Sequence, residues 1–321
     1  MVVTHLTSRG LALDNSPEAF GELLDSSDIA DNPIAVKQRM DRDGYVYLPG
    51  FLNREDILSA RKVVLETMAQ NGDIDPSFPV MQAKAIIGRN FDDIPYRTKP
   101  ELTRENPWVV KIMTEGALPN LFREMLGGDV RYFERIILRA RQPAPVSGTH
   151  PHCDSVFMNR GTKNLFTTWI PLGDIPYHVG GLMVLEKSHH IEKLRHEYSD
   201  LDVDAYCANY PDAEKWASGE LRYSGYRSPE DPLVWSGRLS EDPVALRAEL
   251  GGRWLTASFR AGDVLIFTIY TVHASLDNLS DEVRISIDTR WQLASEEVDE
   301  RWTGPNPPGH APELIRGRIC H

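Results

Sequence analysis

The chain has 321 residues, 41% hydrophobic and 26% charged, with 35 Lys plus Arg against 47 Asp plus Glu for a formal net charge of -12. That length buries a sizeable core in one large domain, and the composition excludes a disordered chain. The acidic balance argues against nucleic acid or an anionic membrane as the main partner, because phosphate contacts need basic surface, but it leaves room for a local pocket for a small anion.

No stretch approaches the roughly 18 apolar residues that span a bilayer, and Met1 to Asp14 lacks a basic-then-apolar secretory pattern. Three cysteines, Cys153, Cys207 and Cys320, are too few and too odd for a disulfide framework, so a reduced, cytoplasmic protein is expected. Residues 1–35 carry weak periodicity and read as a poorly packed lead-in. Gly44 to Gly50 predicts a short strand closed by a Pro-Gly turn. Asn53 then caps a helix with Ile57, Ala60, Val64 and Met68 on one face, ended by Asn71-Gly72, and a second helical region runs from Pro107 to Leu126. Residues 36–128 therefore form a helical and strand support.

From Asp129 the pattern changes to strands: Val130 to Arg141, Leu165 to Leu172, Gly181 to Leu185, Trp254 to Phe259, Val264 to Tyr270 and Val283 to Leu293. No helical crossover separates the last three, which favours an antiparallel sandwich or barrel with flanking helices over residues 129–295. An insertion over 189–251 holds Tyr198, Tyr206, Tyr210, Trp216, Tyr223, Tyr226 and Trp235 among many acids, as either a lid or a decorated surface loop. Residues 296–321 form a tail, Pro-rich from Gly304 to Pro312.

One His-x-Asp triplet occurs, His152-Cys153-Asp154, at the end of a strand and a turn-rich segment. Residues two apart on an extended chain project the same way, so His152 and Asp154 can converge while Cys153 points elsewhere. His150 competes as an imidazole, but only His152 has Asp two residues on. His273, after the apolar strand Val264 to Tyr270, is the best third ligand. Two His and one carboxylate make the facial arrangement of non-haem Fe(II), with three positions left open. Eleven residues on, Arg284 opens a strand where Arg284, Ser286, Asp288 and Arg290 alternate with Val283, Ile285, Ile287 and Thr289. A polar stripe of that kind suits a barrel interior holding a charged ligand, and the arginine fork suits a carboxylate.

With these residues the chain resembles the phytanoyl-CoA dioxygenase family of Fe(II)/2-oxoglutarate oxygenases. His152-Cys153-Asp154, His273, Ser275 and Arg284 look like its metal and co-substrate residues. Thr168 to Leu172, Gly180-Gly181-Leu182 and Ser188-His189 match further segments, and Lys187 stands where the family commonly has Gly. The resemblance is loose over residues 36–295 and good over 145–292. It implies a double-stranded β-helix (jelly-roll, cupin-like) core, with Fe(II) on His152, Asp154 and His273. It further implies 2-oxoglutarate on the metal with its 5-carboxylate on Arg284 and Ser275, Trp169 as a wall of that pocket or as a core residue, and O2 at the last position.

The implied reaction is hydroxylation of an unactivated C–H bond of a small-molecule substrate with release of succinate and CO2. The presence of Asp154 argues against halogenation, whereas desaturation and ring formation stay possible. No basic cluster for a CoA phosphate is visible, so a free metabolite is favoured. Two rivals remain: a Zn(II) β-barrel hydrolase or isomerase on the same three ligands, for which Arg284 has no use, and a non-catalytic small-molecule-binding barrel, against which the intact ligand set argues.

Overall fold

In the computed structural model, residues 5–89, 94–97, 99–209, 211, 213–218 and 237–319 are described. They begin with a hairpin of β1 (Thr7–Ser8) and β2 (Leu11–Ala12), then β3 (Phe20–Glu22), α1 (Pro33–Asp43) and β4 (Tyr45–Leu48). Helices α2 (Arg54–Gln70), α3 (Ile94–Arg97), α4 (Pro107–Thr114) and α5 (Ala117–Leu126) follow. Next come β5 (Val130–Tyr132), β6 (Ile137–Arg141), β7 (Phe166–Pro171), β8 (Leu182–Leu185), β9 (Ala205–Cys207), α6 (Ala213–Ala217) and α7 (Pro243–Leu250). The last strands are β10 (Trp254–Thr256), β11 (Val264–Thr268), β12 (His273–Ser275), β13 (Arg284–Leu293) and β14 (Arg316–Arg318).

The larger sheet has the order β4-β11-β7-β13-β5, with β6 also paired to β13, and is antiparallel throughout. The smaller sheet has the order β12-β8-β10-β3, antiparallel except for the parallel pair β3–β10. Side-chain alternation assigns the layers. Val46 and Leu48, Val264 and Ile266, and Ile285 and Ile287 pack in one cluster with the apolar faces of α1, α2, α4 and α5. The opposite residues of the same strands, Tyr45 and Tyr47, Trp169, Leu265 and Phe267, meet Leu182, Val184 and Leu255 of the smaller sheet. Met183, Leu185, Trp254 and Ala274 turn outward to a third cluster with Leu194, Tyr198, Val203 and Leu246 of the 189–251 segment. Two facing sheets with helices on one outer side make the mainly β, jelly-roll architecture that the resemblance implies.

Local chemistry sets the boundaries. The Asn53 side chain accepts from the amides of Glu55 and Asp56, which starts α2. The helix expected over Pro107 to Leu126 is two helices, because Gly116, at φ +76°, reverses the chain between α4 and α5. Helix α1 had no prediction; Asn32 caps it and Pro33 occupies its first turn. Lys187 adopts φ +58°, the left-handed conformation that a glycine would take without strain.

The lead-in is not poorly packed, which corrects the sequence expectation. Strand β3 pairs with β10, and Leu6, Leu13, Ala19 and Leu23 are buried. The Asp277 carboxylate accepts the amides of Arg9 and Gly10 at 3.1 and 2.9 Å, and those of Ser147 and Gly148 at 2.9 and 2.7 Å. The tail is also anchored: Arg301 and Trp302 are buried, and β14 pairs with β9. Arg301 bonds Asp299, Asp204 and Asp202. Cys153 is a free, buried thiol, whereas Cys207 is disulfide-bonded, against the expectation of reduced cysteines. Tyr210, Tyr223, Tyr226 and Trp235, with the side chain of Trp216, also lie outside them. Among the described residues no helix is long and apolar enough to cross a membrane.

Replacing Asp277 by Ala strips four backbone amides of their acceptor and is expected to cost about 3 kcal/mol. A lower urea midpoint and faster proteolysis within residues 5–14 would register it; a wild-type midpoint would contradict the role given to this carboxylate.

Candidate metal centre

Backbone pairing brings the two histidines together. The amide of His152 donates to the carbonyl of His273 at 3.1 Å and the amide of His273 returns the bond at 2.9 Å, an isolated antiparallel bridge beside β12. The two imidazole centroids are 4.2 Å apart. Cys153 between His152 and Asp154 is extended, at φ -110° and ψ 150°, so its neighbours project together and its own sulfur turns to the Tyr270 carbonyl, 3.3 Å away. Nε2 of His152 lies 3.9 Å from Asp154 Oδ1 and Nε2 of His273 lies 3.8 Å from it. Among the described residues, these three form the single His/Cys/Asp/Glu group able to hold a metal ion.

The hydrogen bonds fix the tautomers. His152 Nδ1 is 2.7 Å from the His150 carbonyl, and His273 Nδ1 is 3.1 Å from that of Thr271. A carbonyl only accepts, so each Nδ1 carries the proton and each Nε2 turns a lone pair to the centre. Burial, reinforced by the neighbouring His273, pushes His152 down to about 3, and burial likewise lowers His273. Burial opposes the charge on Asp154, but Arg290 and then the two histidines outweigh it and hold the carboxyl well below its usual range. Two neutral imidazoles and one carboxylate are the state in which such groups bind a divalent cation, so the donor set fits Fe(II).

Around the centre lies a cavity lined by Trp169, Phe267, Leu182 and Thr149 and by the charged Arg284, Asp288, Arg290 and Arg139. Arg284 is 2% exposed, and its Nη1 donates to the Gly180 carbonyl at 2.6 Å. Gly180 has φ +85°, and a Cβ there would lie 2.8 Å from the Leu276 carbonyl oxygen, so glycine is needed where the chain presents that acceptor. Trp169 donates Nε1 to Ser286 at 3.1 Å and sets its ring against Phe259.

Five of the six residues singled out from sequence, His152, Asp154, His273, Arg284 and Trp169, thus converge on one centre. Ser275 stands behind the wall, its hydroxyl accepting the amide of Thr149 at 2.8 Å. His150 turns away, with Nδ1 2.9 Å from Glu241. Sequence reasoning did not find Thr167 or Arg139. Thr167 Oγ1 donates to Asp154 Oδ2 at 2.5 Å, and Arg139 bonds Asp288. The period of two puts Thr167 on one face with Trp169 but assigns neither role, since each depends on a carboxylate from elsewhere in the chain.

The depressed His152 sets a pH dependence. Folded, it titrates near about 3; unfolded, near about 6.5. The unfolded chain therefore takes up the proton first, and the stability of the metal-free protein is full above about pH 6.5 and falls as pH drops through that window. The urea midpoint should fall from pH 7 to pH 5, and His152→Ala should flatten that fall by up to one proton. An unchanged slope in the variant would refute a buried neutral imidazole.

The phytanoyl-CoA dioxygenase (PhyH) family model matches residues 40–286 of the chain. A 1-deoxypentalenic acid 11-beta-hydroxylase of Streptomyces exfoliatus is 24% identical over 288 residues, covering 87% of each chain, and one of Streptomyces arenae is 23% identical over the same share. Among solved structures, the carbocyclase SnoK from nogalamycin biosynthesis superposes with a TM-score of 0.55 at 17% identity, over 94% of this chain and 96% of that one. Iron-bound EctD from S. alaskensis gives 0.55 at 15% identity, over 98% and 94%. These structural likenesses concern the fold. With a family model spanning helices α2 to α5, most of both sheets, the three metal ligands and Arg284, the chain belongs to the phytanoyl-CoA dioxygenase (PhyH) family and is a 2-oxoglutarate-dependent dioxygenase.

Proposed function

We propose that the chain hydroxylates an unactivated C–H bond of a small organic molecule, with Fe(II) held by His152, Asp154 and His273 and 2-oxoglutarate anchored by Arg284. The observation that carries this reading is the convergence of two neutral Nε2 atoms and one carboxylate oxygen beside a buried guanidinium on the same cavity wall. The two Streptomyces relatives are named for hydroxylating one small molecule, 1-deoxypentalenic acid, which supports the substrate class and no finer choice.

Fe(II) with 2-oxoglutarate and O2 supplies an oxidant able to take hydrogen from an unactivated C–H bond, with succinate and CO2 as co-products. The protein's own residues do the rest. Arg284, fixed at one end by the Gly180 carbonyl, offers its fork to the 5-carboxylate in a region of low dielectric, where that pairing is strong. The Ser275 hydroxyl accepts the Thr149 amide and so steadies that residue of the cavity wall from behind. Trp169 and Phe267 exclude water from the centre. Phe157 stands edge-on to the His152 ring, with centroids 5.6 Å apart. Tyr198, at the start of the 189–251 segment, accepts the Cys153 amide at 3.1 Å and donates to the Gly237 carbonyl at 2.5 Å. That segment thus braces the chain that carries two of the ligands.

Succinate formation from 2-oxoglutarate should require Fe(II) and O2, and Zn(II) should not replace iron. His273→Ala should abolish it. Arg284→Ala should raise KM for 2-oxoglutarate on the order of 100-fold, the effect of removing one partner of a buried charge pair. Turnover that survives omission of iron, or a KM indifferent to Arg284, would defeat the assignment.

A further inference from the structure

The two oxygens of Asp154 have different surroundings. Oδ1 faces the imidazole Nε2 atoms, 3.8 and 3.9 Å away. Oδ2 accepts Thr167 Oγ1 at 2.5 Å and Arg290 Nη2 at 2.7 Å. Arg290 is itself held between two carboxylates, because its Nη1 donates to Asp288 Oδ2 at 2.7 Å. Asp288 in turn accepts Arg139 Nε at 2.5 Å and Nη2 at 3.2 Å. Charge alternates along Arg139, Asp288, Arg290 and Asp154, whose side chains are 20%, 3%, 3% and 2% exposed. The row follows from strand geometry: Asp288 and Arg290 lie two apart on the inward face of β13, and β6 carries Arg139 alongside.

We propose that Arg290, clamped by Asp288, is a positioning residue that restricts Asp154 to binding the metal through one oxygen. A carboxylate with both oxygens available can hold a divalent cation by one or by both. Binding by both would consume one of the three positions that a facial set of three ligands leaves open. 2-Oxoglutarate, with two donor atoms, and O2 together need all three. In this centre Oδ2 is occupied by one neutral and one charged donor, and turning it towards the metal would strip the buried Arg290 guanidinium of one of its two carboxylate partners. The planar fork of Arg290 bridges both carboxylates at once, so the guanidinium stays in place and Oδ1 alone faces the centre. The inference rests on the iron reading of the site, and its test separates the two.

Wild type, Arg290→Gln, Arg290→Lys and Asp288→Asn are compared after circular dichroism has shown a native fold. Anaerobic Fe(II) titration, followed by tryptophan fluorescence, should show affinity lost by roughly 10–100-fold in Arg290→Gln, the range for removing a partner of a metal ligand. Arg290→Lys and Asp288→Asn should lose less, since a lysine reaches one carboxylate only and the asparagine keeps the shape but loosens the clamp. With Fe(II) and 2-oxoglutarate saturating, the electron paramagnetic resonance signal of added nitric oxide reads the remaining open position. It should be full in wild type, largely lost in Arg290→Gln and reduced in Asp288→Asn. Wild-type affinity and signal in Arg290→Gln would overturn the proposal. If that variant does not fold, wild-type values in Asp288→Asn overturn it equally. A wild-type protein that takes up no Fe(II) would overturn the iron reading itself, a failure visible before any variant is measured.

Discussion

Everything in the centre depends on keeping charged side chains inside a β-sandwich. Arg284, Asp288 and Arg290 project from one face of a strand whose other face, Ile285 and Ile287, is packed against helices. Each ion taken out of water costs several kcal/mol, and only close partners offset that. Asp288 and Asp154 answer Arg139 and Arg290, while the Gly180 carbonyl answers one end of Arg284. Among the described residues, three arginines and Asp288 line the cavity beside Asp154, with two imidazoles held neutral. A doubly charged co-substrate opposite a divalent cation suits a centre so rich in arginine.

The layers turn this pairing into a reaction chamber. The larger sheet supplies Arg284 and Trp169, the smaller sheet supplies His273 through β12, and the bridge between His152 and His273 ties a loop between strands to that smaller sheet. Because the ligands come from two distant stretches of the chain, and the cavity beside them needs Arg284 and Trp169 of the larger sheet, the centre is complete only when both sheets have met. The 189–251 segment braces the loop from outside through Tyr198 and through the bond between Ser199 and Ser155. The ligands are thus held by backbone pairing within and by side-chain bonds behind.

Much of this was legible in the sequence because it repeats with a period of two. His152 and Asp154, like the polar stripe of β13, are single-strand patterns that need no knowledge of partners. Thr167 and Arg139 were not legible: their roles are set by what faces them from other strands, at Asp154 and Asp288. The lead-in misled for a related reason. Its apolar residues Leu6, Leu13, Ala19 and Leu23 follow no helical or strand period, and β3 finds its partner β10 more than 200 residues away. The single stretch from Pro107 to Leu126 divided at Gly116 because hydrophobic spacing continues through a residue whose backbone turns. The tail carried a compositional bias but no pattern, and its place comes from the buried Arg301 among aspartates.

The Asp277 bonds also bear on the order in which the protein assembles. Residues 9 and 10 are synthesised long before the carboxylate that will receive their amides, and Ser8 likewise waits for the Ser275 carbonyl, 267 positions later. Contacts so distant along the chain make folding slow. On a ribosome the early hairpin must linger without its partners through most of translation, and it can lock only as β12 emerges. The same carboxylate seats Ser147 and Gly148, a few residues ahead of His152, so closing the amino-terminal strap and finishing the metal-bearing loop become one late event.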